Sequence, residues 1–280
     1  MKKYKFLKTY TLISFLFCIF ALFFSENTSQ KSINSSLLNP KFSNSVCSIL
    51  INHNDECIEL SFDNKINLWI CKKDNIITYA NIKPINEFID KLSNIQSMYK
   101  ISDNKKDFES LLLQNPNSIN VILKNKEGNS LTNLHFGLQD NLTSRISVRA
   151  DKSNDCYEIN NVFSSFLKTD LEYWTIPEII LIKEPINVPL TKENLNTLIS
   201  LRHGKIHEYS VNKKYKKINS IEIEDSFNQR QVIDFYEEEK EEECIFYTQK
   251  LYPNSIENQN SMYELSKWTY DRLFKLLREN

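Results

Sequence analysis

Glycine is almost missing from this chain, with 3 in 280 residues. Phosphate-binding loops need closely spaced glycines so that backbone N–H groups can approach the phosphates, and neither GxGxxG nor a P-loop pattern occurs. The same scarcity leaves turns of positive φ to the abundant asparagines. Also missing are the GxSxG nucleophile elbow and the HExxH zinc helix, which removes the common nucleophile and zincin signatures. No charge sign dominates: 35 Lys and Arg stand against 36 Asp and Glu. No overall field therefore recruits nucleic acid or an acidic partner. Cysteine is present, 6 in all, but never as CxxC. Cys18 lies in an N-terminal apolar run, which leaves Cys47, Cys57, Cys71, Cys156 and Cys244, an odd number. Cys47, His53 and Cys57 are neighbours in sequence, yet two of them fall on expected strands and no second ligand pair stands beside them. Ordinary buried thiols or one incidental disulfide are expected, with no metal and no other cofactor.

What the chain does have is apolar residues, 41% hydrophobic and 12% aromatic, enough for a packed core. Lys2, Lys3, Lys5 and Lys8 precede Tyr10–Phe24, an apolar run broken only by Thr11 and Ser14. Phe23 and Phe24 stand where a signal peptidase needs small residues, so the run reads as an uncleaved signal anchor. Cleavage, or lipidation at Cys18, stays open as an alternative. The positive flank keeps the lysines in the cytoplasm and exports the rest. That predicts a single-pass protein of the inner (cytoplasmic) membrane with its body in the periplasm.

Strand alternation marks Val46–Ile51, Cys57–Phe62, Ile66–Ile70 with Trp69 on the opposite face, and Ile76–Tyr79. Pro84 suits a first helical turn, and Ile85, Phe88, Ile89, Leu92 and Ile95 follow at helical spacing, all expected inward. A second helix is predicted over Lys105–Gln114 with Phe108, Leu111 and Leu112 inward. Strands at Ile119–Leu123 and Leu131–Phe136 lead into Ser144–Trp174. That stretch reads as strand, turn, strand, then a short helix capped by Asn160 or Asn161 and carrying Val162, Phe163, Phe166 and Leu167. Pro177, Pro185 and Pro189 around the apolar Ile179–Ile182 predict a junction between two lobes.

Beyond the junction, Leu195–Leu201 and Ile206–Val211 are predicted to pair as a hairpin. Strands Ile218–Ile223, Gln231–Tyr236 and Cys244–Gln249 follow, and Met262–Leu265 leads into a helix with Trp268, Leu273, Phe274 and Leu277. The match of Cys156-Tyr157-Glu158-Ile159 to Met262-Tyr263-Glu264-Leu265 predicts a degenerate repeat whose second copy lacks the helical block around residues 84–114. The fold class predicted is α+β: an N-terminal transmembrane helix, then two related lobes of mostly antiparallel sheet with packed helices. The boundaries are signal anchor 1–25, polar tether 26–44, first lobe 45–182 and second, shorter lobe 183–280.

Few residues suggest chemistry. His203 and His207 have metal-ligand spacing only if helical, and Gly204 with the alternating Ile206/Glu208 context favours a hairpin. His53 and His135 have no visible partner. Glu237, Glu238, Glu239, Glu241, Glu242 and Glu243 form an acidic run that is either an interaction surface or the solvated tip of a hairpin. Asp170, Glu172 and Glu178 near Trp174 suggest glycoside hydrolysis only if a second acid, such as Glu224 or Asp225, faces them across a cleft. Without that acid Trp174 reads as a packing anchor. No catalytic residue, and no enzymatic activity, is expected.

Several of these features together resemble the bacterial domain-of-unknown-function family numbered 4340, chiefly over residues 45–182. They are Trp69 on its strand, the helix from Pro84, Phe136-Gly137-Leu138, Arg145 and Arg149, Tyr157-Glu158-Ile159, and Leu171–Trp174. The chain departs in the turn before Trp69, where Asn64-Lys65 replaces the family's glycine. The resemblance implies a membrane-anchored, non-enzymatic accessory or binding subunit of an ABC-transporter-type envelope complex. Its partners would be permease and gliding-motility-type auxiliary subunits, with the small-molecule ligand open. The alternative is a free-standing envelope ligand-binding or surface interaction protein, and an envelope hydrolase ranks below both.

Overall fold

Alternation of apolar and polar residues builds the framework. In β2 (Ser48–His53) and β3 (Glu56–Asp63), Ile49, Ile51, Ile58 and Leu60 are fully buried. The register sets Ile49 opposite Leu60 and Ile51 opposite Ile58, so one face of the ribbon is continuous apolar surface. The computed structural model describes residues 32–187, 191–209, 215–238, 241–257 and 259–278, together with Ser14 and Phe15. Among them no helix is long and apolar enough to cross a membrane. The run Tyr10–Phe24, apart from those two residues, lies outside the described residues.

The large sheet adds β4 (Leu68–Lys73) and β5 (Ile76–Tyr79) to β3. On the other side of β2 lies a four-strand meander of β7 (Ile119–Lys124), β8 (Ser130–Asp140), β9 (Arg145–Ala150) and β10 (Cys156–Asn160). With β1 (Ser32–Ser35) and β6 (Gln96–Ser102) the order is β1-β6-β10-β9-β8-β7-β2-β3-β4-β5. The small sheet holds β11 (Ile206–Glu208), β12 (Tyr215–Glu224), β13 (Arg230–Glu238), β14 (Glu241–Tyr252) and β15 (Ser261–Ser266), ordered β11-β15-β14-β13-β12. Every pairing is antiparallel. Helices α1 (Ile82–Ser93), α2 (Leu171–Trp174), α3 (Lys192–Ile199) and α4 (Lys267–Arg278) complete the set. The two antiparallel sheets match the expectation, whereas the helical share is smaller than the α+β reading implied.

Five neighbouring strands of the large sheet, β6-β10-β9-β8-β7, have the same connectivity as the whole small sheet, and a helix precedes each set. Helix α3 therefore stands where α1 stands, which corrects the expectation that the second half lacks a helical block. The predicted hairpin of Leu195–Leu201 with Ile206–Val211 is also corrected. Thr191 caps α3 through its hydroxyl, and Ile206–Glu208 pairs with β15.

Two further predicted helices are absent for physical reasons. Between Lys105 and Gln114 only a 3-10 turn, Lys105–Asp107, forms. Bonds to the large sheet dock the segment instead: Leu111 O accepts from Ser147 Oγ (3.0 Å) and Leu138 N–H (2.9 Å), and Leu113 O from Arg149 Nε (2.8 Å). This approach requires Gly137, since a Cβ there would lie 2.2 Å from Leu111 O. After Asn161 the chain makes turns instead of a helix, and Phe163 and Phe166 both pack on Phe88. Helix α1 forms as predicted with Asn81 as cap and Ile85, Phe88, Ile89 and Leu92 buried. Ile95, expected inward, is 74% exposed because the helix ends at Asn94. Ser32–Ser35 and a 3-10 turn at Pro40–Ser45 lie within the stretch read as tether, and Leu38 there is buried.

One continuous apolar core runs through both sheets. At the seam, the Tyr79 hydroxyl donates to Asn254 O (3.1 Å) and accepts from Leu251 N–H (3.2 Å). The Thr78 and Tyr263 hydroxyls bond to each other, and Asn260 Oδ1 accepts from Ile77 N–H (3.3 Å). Ile179, Ile180 and Ile182 are buried. The Gln231 side chain clamps this segment, accepting from Leu181 N–H (2.8 Å) and donating to Ile179 O (2.8 Å) and Gln249 Oε1 (2.9 Å).

Candidate functional site

Four places gather polar groups. The first is one that sequence reasoning missed. On the face of β8 and β9 covered by residues 105–118, Ser118 Oγ lies 3.0 Å from His135 Nδ1 and 3.1 Å from Asn115 Oδ1. His135 Nε2 lies 3.1 Å from Asp151 Oδ1. Burial lowers the His135 pKa despite the Asp151 hydrogen bond, so the ring is neutral at pH 7. A neutral ring fits if Nε2–H donates to Asp151 and Nδ1 accepts the one Ser118 O–H, which then does not serve Asn115 Oδ1. This is the composition of a hydrolytic triad with its ring nitrogens exchanged. Ser118 is 1% exposed, however, so its hydroxyl does not meet a substrate in solvent. The chain instead ties the 105–118 loop to the sheet, beside Arg149, whose guanidinium lies 4.4 Å from the Phe108 ring centroid. No sequence spacing links these residues, because β8, β9 and the loop are brought together only by the fold.

The second place is the seam around α2. Asp170 and Glu172 share a hydrogen bond. It raises the Asp170 pKa, with burial adding to the effect. Burial alone would raise Glu172, but bonds from Asp170 and from the Ile206 N–H outweigh it and lower its pKa. Of the two carboxyls, Asp170 is therefore the one that holds a proton to higher pH. Glu172 Oε1 accepts from Ile206 N–H at 3.1 Å and so terminates the edge of the small sheet. Glu224 and Asp225 are elsewhere engaged: Glu224 O accepts from Ile186 N–H, and Asp225 Oδ1 accepts from Phe227 and Gln229 N–H in the β12–β13 turn. The backbone of Glu178 forms an isolated antiparallel β-bridge with that of Arg202. No described hydrogen bond or ion pair joins the two acid sets. Trp174, fully buried, donates Nε1–H to Lys168 O (2.9 Å) and packs against Phe88 and Tyr173, an anchor between helix and sheet.

His203 and His207 do not converge. His203 Nδ1 lies 2.7 Å from Gly204 O and its Nε2 3.1 Å from Ile176 O, while His207 Nε2 lies 3.2 Å from Glu264 Oε2. Among the described residues no three His, Cys, Asp or Glu side chains gather as metal ligands, and no disulfide joins the cysteines.

The third place is the acidic run. Strands β13 and β14 pair as a hairpin, with Glu238 opposite Glu241. Glu237 lies opposite Lys216 on β12, and Glu238 opposite Tyr215. Glu239 and the side chains of Glu241, Glu242 and Glu243 lie outside the described residues.

The fourth is a groove of about 460 Å³ between α3 and α4. Trp268, 65% exposed, stands on its wall with the Arg272 guanidinium 5.1 Å from its ring centroid. Glu193, Asn194 and Thr197 approach from α3, and Asp271 and Lys275 from α4. The sequence placed Trp268 on the helix but gave it no role.

Two of the residues that carry the resemblance make structural contacts. Trp69 sits edge-on to Phe62 at 6.0 Å, and Arg145 pairs with Glu158 (3.0 Å) while lying 4.5 Å from the Tyr99 ring centroid. No family model matches the chain, and no curated protein or solved structure matches it.

Proposed function

We propose that this protein is a membrane-anchored extracytoplasmic binding module, an accessory subunit of an ABC-transporter-type envelope complex with no catalytic role of its own. The anchor is the Tyr10–Phe24 run behind four lysines, which holds the body at the periplasmic face of the inner membrane. The body is read as two α+β lobes related by an ancient duplication, which the shared strand order supports. The resemblance to the family numbered 4340 supports the transporter association and names permease and auxiliary subunits as partners.

The observation that carries the binding role is where the polar groups are engaged. The sets with hydrolytic or acid–base composition, Ser118–His135–Asp151 and Asp170–Glu172, hold a loop and a sheet edge in place. The α3–α4 groove presents accessible polar side chains and an exposed indole, and shares no lining residue with those sets. Affinity purification of the tagged full chain from detergent-solubilised membranes tests this. Recovery of a permease or ATPase subunit supports it, and a clean preparation of the chain alone sinks it. The groove also favours a second reading, a free-standing envelope protein that binds a ligand without a transporter. Protease shaving of intact cells separates the two, since an inner-membrane subunit stays protected.

A further inference from the structure

We propose that the groove between α3 and α4 is a binding site for a neutral saccharide, with one sugar ring packed on the Trp268 indole. Three observations converge there. First, Trp268 is a large amphipathic aromatic left 65% exposed, whereas Trp69 and Trp174 are buried to 8% and 0%. An indole presents an apolar face of the size of a pyranose ring, and the C–H groups of the sugar pack on its electron-rich surface. Its Arg272 neighbour at 5.1 Å steadies the ring and sets guanidinium donors at its margin.

Second, the side chains of Glu193, Asn194 and Asp271 line the groove with no hydrogen-bond or ion-pair partner among the described residues. Carboxylates accept from hydroxyls, and an amide both donates and accepts. Together with guanidinium donors they suit a ligand that carries adjacent hydroxyl groups. Third, the lining is balanced in charge, Glu193 and Asp271 against Arg272 and Lys275. A phosphate or carboxylate ligand would meet the two acids, and a polyamine the two bases. A neutral polyhydroxyl ring meets neither penalty. The volume, about 460 Å³, falls in the range of small-ligand sites.

The inference does not rest on the accessory role: a failed pull-down leaves it intact, and a failed titration leaves that role intact. With both other tryptophans buried, intrinsic fluorescence of the full chain in detergent reports mainly on Trp268. Titration with neutral tetrasaccharides (cellotetraose, maltotetraose, chitotetraose) should give a saturable emission change with at least one. Asp271→Asn and Asn194→Ala, which keep the reporter, should each weaken that binding at least tenfold. By calorimetry Trp268→Phe should retain most of the affinity and Trp268→Ala lose it. No saturable change with any tetrasaccharide up to about 10 mM overturns the proposal. So does a change that survives both groove variants, or one that inorganic phosphate or spermidine reproduces at equal concentration. Far-UV circular dichroism identifies any variant that fails to fold, and the remaining variants then decide.

Discussion

Five strands of the large sheet share the connectivity of the small one, but the two sheets close their cores differently. The α1 face of the large sheet is sealed by hydrocarbon, where Phe88 meets Phe163, Phe166 and Trp174, while its buried polar residues His135, Ser147 and Arg149 lie under the 105–118 loop and bond to it. The small sheet buries Gln231, Gln249, Ser261, Tyr247 and Tyr263. Its cover includes an extended segment, Ile179–Ile182, whose backbone groups need partners that a helix would have supplied internally. Gln231 supplies them. The difference shows that one connectivity tolerates two solutions, provided every buried backbone group is satisfied.

The comparison can be broken from either side. Phe88→Ala should have the largest effect, about 3–5 kcal/mol from lost burial and the cavity left among three aromatics. Urea unfolding should show its midpoint falling in one transition reported alike by both sheets, because the core is continuous. Two separated transitions would contradict that. Gln231→Leu keeps the volume but strands the Leu181 N–H and the Ile179 carbonyl, at about 1–3 kcal/mol for each buried group. An equal loss in Gln249→Leu, which touches neither backbone group, would refute the clamp.

Tyr79→Phe removes one hydroxyl shared by Leu251 and Asn254 and should cost about 1–3 kcal/mol. Hydrogen exchange should then quicken in β14 before β8; uniform acceleration would mean that Tyr79 is no special joint. Burial pushes this phenol up to about 12, so no change from this group is expected between pH 6 and 9.

The smallest effect concerns pH. The pKa of His135 is below its usual 6.5 in the folded state, so the unfolded chain takes up its proton first as pH falls. Its contribution is complete above pH 6.5 and is lost below it, down through the folded pKa. Stability should therefore decline from pH 7 to pH 5 more steeply in the wild type than in His135→Gln, measured by urea midpoints. Parallel profiles would show that the buried ring is not titrating. The carboxylates of Glu56, held low by Thr169 and Lys73, and of Asp140, held low by Thr143 and Leu142, act at more acid pH than this window.

What the sequence made legible follows from burial. Strands with one wet face, such as β2, β3 and β13, carry period-two alternation, and α1 carries a full apolar stripe. Strand β6 was invisible because only Met98 of Gln-Ser-Met-Tyr-Lys-Ile-Ser is buried. Helix α3 was misread because Leu198 is its one buried residue, so Leu195–Leu201 offered no stripe. The 105–114 stretch had helical spacing, but Gly137 and Arg149, far along the chain, drew its carbonyls onto the sheet. The groove escaped for the same reason: Glu193 and Asp271 meet only after α3 and α4 pack. The acidic run was legible as a hairpin tip from its flanks alone.

Strand β1 has a mechanical consequence for the proposed anchor. Phe24 closes the apolar run and Ser32 is already paired in the large sheet with Tyr99 of β6. The leash between them is Ser25–Lys31, which even fully extended reaches no more than about 25 Å. If the run is the anchor proposed, so short a leash would confine the body to a shallow layer above the bilayer, with the β1 edge as its pivot. If the run is the anchor and the partner is membrane-embedded, as proposed, any ligand would have to come to the membrane surface, and a flexible insert lengthening the leash should loosen contact with that partner without unfolding the body.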